Sequence, residues 1–224
     1  MISSQYEKDI LDIPQHYNKL EVVTQNGEKF LSGEIEIKDE EGKIWETYSV
    51  LIKGSRQYPN MFPILFETGN AFPKIADWHV NIDESCCIDV PESEIIICKN
   101  GLHAKEFIER YCIPYLANQK YRELEGYYLY GEYSHGIFGK IEFYQSKLKA
   151  RSPLQMVQMF DFILKGQILN RTAQCPFCHK MKFRNCHKDA FEELSIIKPY
   201  IYFDGKEQLI PFFKQNPNYI LPSS

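Results

Sequence analysis

Two stretches decide how the chain is read: Tyr58-Pro59-Asn60-Met61-Phe62-Pro63-Ile64-Leu65-Phe66 and His79-Val80-Asn81-Ile82-Asp83-Glu84-Ser85-Cys86-Cys87-Ile88-Asp89-Val90-Pro91. In the first, Pro59 and Pro63 break any long helix, because proline lacks the amide hydrogen that a helix interior needs. In the second, two adjacent cysteines sit in a segment of little periodicity, which marks a loop. In extended backbone, neighbouring side chains point to opposite faces. One of Cys86 and Cys87 can then face a reactant while the other packs inward as a small hydrophobe.

Upstream, Lys19–Val23, Phe30–Ile37 and Lys43–Ile52 carry strand-like apolar patterns. The acidic turn Asp39-Glu40-Glu41-Gly42 joins the last two as a hairpin. Ser3–Tyr17 reads as a helix interrupted or ended near Pro14, with Ile10, Leu11 and Ile13 on its packed face. Downstream, Gly101–Leu116 is helical through Phe107, Ile108, Tyr111 and Cys112, and Pro114 is expected to end or kink it. Further helices are expected over Ile137–Leu148 and Pro153–Leu169, the latter with Leu154, Val157, Phe160, Ile163 and Leu164 on one side. The pattern predicts an α+β class. A change of composition places a boundary near 150, giving regions 1–150 and 151–224.

The 224 residues are 44% hydrophobic and 14% aromatic, a composition that buries a core and excludes a disordered chain. A net charge of −4 argues against a broadly basic nucleic-acid binder. No apolar run approaches the roughly 20 residues of a membrane span, and no signal peptide is visible. The seven cysteines are an odd number with a local cluster, which points to thiol or metal chemistry in the cytoplasm and not to a disulfide framework.

The order of these pieces resembles the ubiquitin-conjugating family over roughly residues 1–120. Tyr58, Pro59 and Pro63 match its Tyr-Pro-x-x-x-Pro segment. His79 and Asn81 match the outer positions of its His-Pro-Asn motif. Cys87, Ile88 and Asp89 match its catalytic cysteine and the residues after it. Val80 stands where the family has proline, the Asn81–Cys87 gap is about two residues shorter than usual, and the family's glycine in that gap is absent. The resemblance implies an N-terminal helix, an antiparallel meander sheet, an active-site loop and a following helix. It implies that Cys87 carries a protein C-terminus as a thioester and passes it to an amine or another nucleophile, with an acyl acceptor that remains open. Cys86 is the alternative or helper thiol. Asn81 either stabilises the oxyanion or braces the loop, and His79 orders the loop. Asp83, Glu84 and Asp89 are candidates to hold an incoming lysine or take its proton.

Cys175, Cys178, Cys186 and His187 form a C-x2-C-x7-C-H run. Three sulfurs and an imidazole complete a tetrahedral zinc set with no open position, so the zinc expected here is structural. His179 is the alternative fourth ligand. The run is similar to the SEC-C zinc motif, with the second cysteine one residue later. Lys180, Lys182, Arg184 and Lys188 add a basic patch, read as a solvated face. A conjugating-like core with such a tail resembles the bacterial proteins of anti-phage cyclic-oligonucleotide signalling systems. That implies a cGAS-like nucleotidyltransferase as the protein whose C-terminus is conjugated, and a part in antiviral defence. Two other readings stand beside it: a catalytically silent conjugating-enzyme-like binding module with a zinc-stabilised tail, and a redox or metal-sensing protein using the Cys86-Cys87 pair.

Overall fold

Four antiparallel strands form a meander in the order β1-β2-β3-β4: β1 (Leu20–Gln25), β2 (Glu28–Lys38), β3 (Ile44–Lys53) and β4 (Ile64–Glu67). The structure, a computed structural model, describes residues 3–129, 133–170 and 172–222. The chain is α+β and divides into two units. The first is Met1–Asp89 with Ile97–Glu132, and the second is Val90–Ile96 with Tyr133–Ser224. The segment 133–150, which lies before the boundary expected from composition, groups with the second unit.

In the first unit, β1 and β2 are joined at Asn26-Gly27, both at positive φ, with Gln25 paired to Glu28. This dipeptide is the strongest short hairpin signal, because both central residues of the tight turn need left-handed backbone. The expected Asp39–Gly42 turn is present. The Asp39 carboxylate accepts from the Glu41 and Lys43 amides, and Gly42 takes φ 82. Ile35, Ile37, Tyr48, Val50 and Ile52 alternate onto the buried face. Gly33 has a specific reason to be glycine. A Cβ there would lie 2.0 Å from the Lys19 carbonyl oxygen, at φ +143.

The first helical stretch is two short pieces, α1 (Ser4–Asp9) and α2 (Ile13–His16), with Ser3 as N-cap. Its buried residues are Tyr6, Ile10 and Ile13, while Leu11 is half exposed and does not join the expected face. The Tyr6 hydroxyl donates to the Ile52 carbonyl at 2.6 Å, tying α1 to the sheet. After the loop come α3 (Pro91–Ile97), α4 (Ala104–Phe107) and α5 (Ile113–Glu125). Pro114 neither ends nor visibly breaks the last of these. A widened π-type turn at Ile108–Cys112 precedes it, and α5 runs on to Glu125. Loosening the ladder one turn ahead absorbs the hydrogen bond that proline cannot make. Phe107, Ile108, Cys112 and Leu116 are fully buried in the core of the first unit.

In the second unit, α6 (Ile137–Leu148) matches its expected span. Helix α7 (Pro153–Leu164) starts at Ser152, whose hydroxyl caps the Gln155 amide, and stops five residues before the expected Leu169, with Gly166 at φ 62 beyond its end. Its buried stripe is Met156, Met159, Phe160 and Ile163, while Leu154 is 67% exposed. In a helix this apolar, periodicity alone does not choose the inward face, and the flexible methionines fill it. Then follow α8 (Lys188–Leu194), α9 (Lys198–Phe203), a π-type turn at Asp204–Leu209 and α10 (Ile210–Gln215). Their core joins Ile141, Tyr144, Leu148, Leu194, Ile197, Ile201 and Leu209 to Ile96 of α3. No helix of the described residues is long and apolar enough to cross a membrane.

Candidate functional site

The thiol loop is a small hairpin. Val80 bridges Cys86, the Asn81 amide donates to the Ser85 carbonyl at 2.8 Å, and the Cys87 amide donates to the His79 carbonyl at 2.7 Å. The turn closes without glycine. Glu84 adopts φ 65, its amide donates to the Asn81 carbonyl, and the Asp83 carboxylate accepts from both the amide and the hydroxyl of Ser85. The Ser85 hydroxyl holds the Asp83 carboxyl below its ordinary pKa. This is how the shortened gap between Asn81 and Cys87 is turned.

The hairpin separates the two cysteines. Cys86 lies on the inward face with Val80. Its amide donates to the Leu65 carbonyl at 2.8 Å, and burial pushes its thiol up to about 11. Cys87 is half-buried, with its sulfur 3.9 Å from the Asp89 carbonyl oxygen. Cys98 and Cys112 are sealed in the core, as their apolar context predicts. Alternation along the hairpin puts Asn81, Ser85 and Cys87 on the same side. One hydrogen of the Asn81 side-chain amide is used on the Ser85 hydroxyl at 3.0 Å. His79 sits in left-handed backbone at φ 49, and its ring lies 5.0 Å from that of Tyr128.

Several residues that hold this loop escaped the motif reading. From α5, the Tyr115 hydroxyl donates to the His79 carbonyl at 2.9 Å. The Gln119 amide donates to the Trp78 carbonyl at 3.1 Å and accepts from the Tyr128 hydroxyl. Arg122 stacks over the rings of Trp78 and Tyr128 and donates to the Asp77 carbonyl. The spacing of Tyr115, Gln119 and Arg122 puts them on one helix face, which is the only trace of this clamp in the sequence.

The second constellation lies wholly in the second unit. One ligand atom from each of Cys175, Cys178, Cys186 and His187 falls within 4.8 Å of all the others. The Cys186 sulfur is 2.9 Å from His187 Nδ1 and 3.3 Å from the Cys178 sulfur, and the Cys175 sulfur is 3.2 Å from Nδ1. These separations bracket the edge, about 3.7 Å, of a tetrahedron with metal–ligand bonds of about 2.0–2.3 Å. The other imidazole nitrogen, Nε2, faces the Leu148 carbonyl at 2.9 Å, which orients the ring and leaves Nδ1 for a metal. The Lys180 amide donates to the Cys178 sulfur at 3.5 Å. Together with the Met181 amide it brings that thiol down to about 7. Burial lifts Cys186 to about 12 and lowers His187, whose neutral form is the ligating one. His179, at φ 54, donates its amide to the Cys175 carbonyl and lies outside the cluster. The residues present fit a single metal ion with a closed set of four donors.

No family model, no curated protein and no solved structure matches this chain.

Proposed function

We propose that the chain is a cysteine-dependent acyl carrier of the ubiquitin-conjugating type, with Cys87 as its nucleophile and a structural zinc ion on Cys175, Cys178, Cys186 and His187. The observation that carries this reading is the division of labour between adjacent cysteines. Cys86 is sealed inward, and Cys87 stands half-open on a clamped turn beyond a four-stranded meander. A thiol suits the task because its anion is both a good nucleophile and a good leaving group. In this reading the Cys87 thiolate attacks the activated carbonyl of a protein C-terminus, the activating group departs, and a thioester forms. An amine then attacks the same carbon, gives up a proton to solvent, the sulfur leaves as thiolate, and an amide results. The second hydrogen of the Asn81 side-chain amide is the candidate donor to the oxyanion, and Ser85 holds that amide in place. The donor set suits zinc because three thiolates and an imidazole are the soft, tetrahedral combination it favours. The implied substrate is the C-terminus of a cGAS-like nucleotidyltransferase in an antiviral signalling system.

The test is to incubate the protein with a cGAS-like nucleotidyltransferase and a matching activating activity, then look for an adduct cleaved by excess thiol. Cys87→Ala abolishes the adduct and Cys86→Ala retains it. If Cys87→Ala still forms the adduct, the reading fails. If wild type forms none while binding the partner, the chain is instead a silent binding module of the same type.

A further inference from the structure

The second unit buries two carboxylates around one lysine. Glu92, in the first turn of α3, is 2% exposed, and Asp204, at the start of the π-type turn, is 1% exposed. Lys140 of α6 reaches both. Its ammonium is 3.4 Å from Glu92 Oε1 and in direct contact with Asp204 Oδ1. The hydroxyl of Tyr144, one turn further along α6, donates to Asp204 Oδ2 at 2.8 Å. Both Asp204 oxygens therefore have donors. Glu92 Oε2 is buried and has no hydrogen-bond partner among the described residues.

Two carboxylates enclosed with a single cation cannot both ionise cheaply, because burial and mutual repulsion act together. The asymmetry of donors says which one keeps the charge. We propose that Glu92 is a neutral carboxylic acid in the folded chain, that its Oε2 hydroxyl donates to the ionised Asp204, and that this shared proton fastens α3 into the second unit. A proton on Oε2 explains an atom that is otherwise an orphan, since an acid with no donor facing it can itself be one. Burial first, and then the neighbouring Asp204 charge, raise the Glu92 carboxyl above the usual range, with its own backbone amide and Lys140 opposing. The titratable groups facing Glu92 are Asp204, Lys140 and Tyr144. The tie is accordingly proton-dependent: as pH rises through the Glu92 titration, a second negative charge appears beside Asp204 and pushes on the first turn of α3. In the chain, that turn follows directly on Cys87-Ile88-Asp89.

The test compares the full-length, zinc-loaded wild type with Glu92→Gln by thermal denaturation from pH 5 to pH 8. The unfolded Glu92 gives up its proton above about pH 4.3, whereas the folded one keeps it. Wild-type stability therefore falls with rising pH over that window, and glutamine, with no proton to lose, escapes the loss. The difference in Tm, variant minus wild type, becomes steadily more positive with pH, reflecting up to about tenfold in the folding equilibrium per pH unit. A difference that is flat, or that turns negative as pH rises, would mean Glu92 is ionised against Lys140 and overturns the proposal. Hydrogen exchange gives a local check at pH 8, where the amides of Glu94–Ile97 exchange faster in wild type than in Glu92→Gln; equal rates count against the tie. Asp204→Asn lowers Tm at every pH, and an unchanged Tm is a failure. Should that variant not fold, the Glu92→Gln comparison decides alone.

Discussion

At Cys86 and Cys87 a single step along the backbone separates a sealed thiol from an accessible one. Iodoacetamide on the native protein therefore modifies Cys87 about tenfold faster than Cys86 or more, since reaction needs exposure and thiolate together. Cys98 and Cys112 stay unmodified until the chain unfolds. Peptide mass mapping over a time course reads all four, and equal rates at Cys86 and Cys87 would contradict the split. Period-two alternation made it legible that one of the pair faces inward and the other outward, while the choice of Cys87 as the outward one came only from the family resemblance of the Ile88-Asp89 that follow it. The turn that makes the split possible was not legible. Glu84 does in left-handed backbone what a glycine usually does, and Asp83 with Ser85 supplies the closure. Nor does any local pattern reveal that Tyr115 and Gln119, 36 and 41 residues further on, grip the carbonyls of His79 and Trp78.

Among the elements, the strands were the easiest to read and the helices the most misleading. Alternation located β1 to β3, and the Asn26-Gly27 dipeptide was an available signal for the first turn that the strand patterns passed over. Helix α7 shows the opposite case, where an almost wholly apolar sequence hides which face goes inward. Gly33→Ala tests the sheet's closest approach. The added methyl would meet the Lys19 carbonyl at 2.0 Å, so the expected cost is about 3 kcal/mol, as strained backbone and a clash add together. A urea titration measures it, and a midpoint unchanged from wild type would refute it. Asp9 makes a second test. At the end of α1 its carboxylate accepts from the Tyr58 hydroxyl, from the Ala104 amide at 2.8 Å and from His103 at 3.0 Å. Burial alone would raise its pKa, yet these donors bring it below the ordinary value. Its stabilisation is thus fully present above the ordinary carboxylate value, near pH 4, and is lost as pH falls through the lowered one. Asp9→Asn costs about 1–3 kcal/mol at pH 7, and the gap from wild type narrows on acidification. A gap that widened towards acid would reverse the sign of that argument.

For the whole molecule, the Cys175, Cys178, Cys186 and His187 cluster and the tryptophans lie in different units. Trp45 and Trp78 are the chain's two tryptophans, and both belong to the first unit. If the ion proposed for Cys175, Cys178, Cys186 and His187 is zinc, purified protein is expected to hold about one equivalent of it, and His187→Ala less than half of that. Stripping the metal with a strong chelator reduces helical circular dichroism while the tryptophan emission keeps its native maximum. If emission shifted together with the dichroism, the two units would be one cooperative system. The cluster itself was legible because its four ligands fall within thirteen residues. The division of the chain was not, because the change of composition near 150 reflects local sequence while packing is non-local, and the second unit takes in Val90–Ile96 and starts again at Tyr133. Nothing in Val90–Ile96 announces that Glu92 and Ile96 are buried among residues more than forty positions away.

That last segment changes what the C-terminal half is. Val90–Ile96 belongs to the second unit, although unit-one sequence flanks it on both sides. A fragment cut at residue 132 would keep Ile96 and Glu92 but discard everything that buries them, leaving an oily, carboxylate-bearing stub just past the thiol loop. The half that carries the Cys175, Cys178, Cys186 and His187 cluster is therefore not a cassette that recombination could add or remove at one junction: any exchange would have to take residues 90–96 out of the middle of its neighbour.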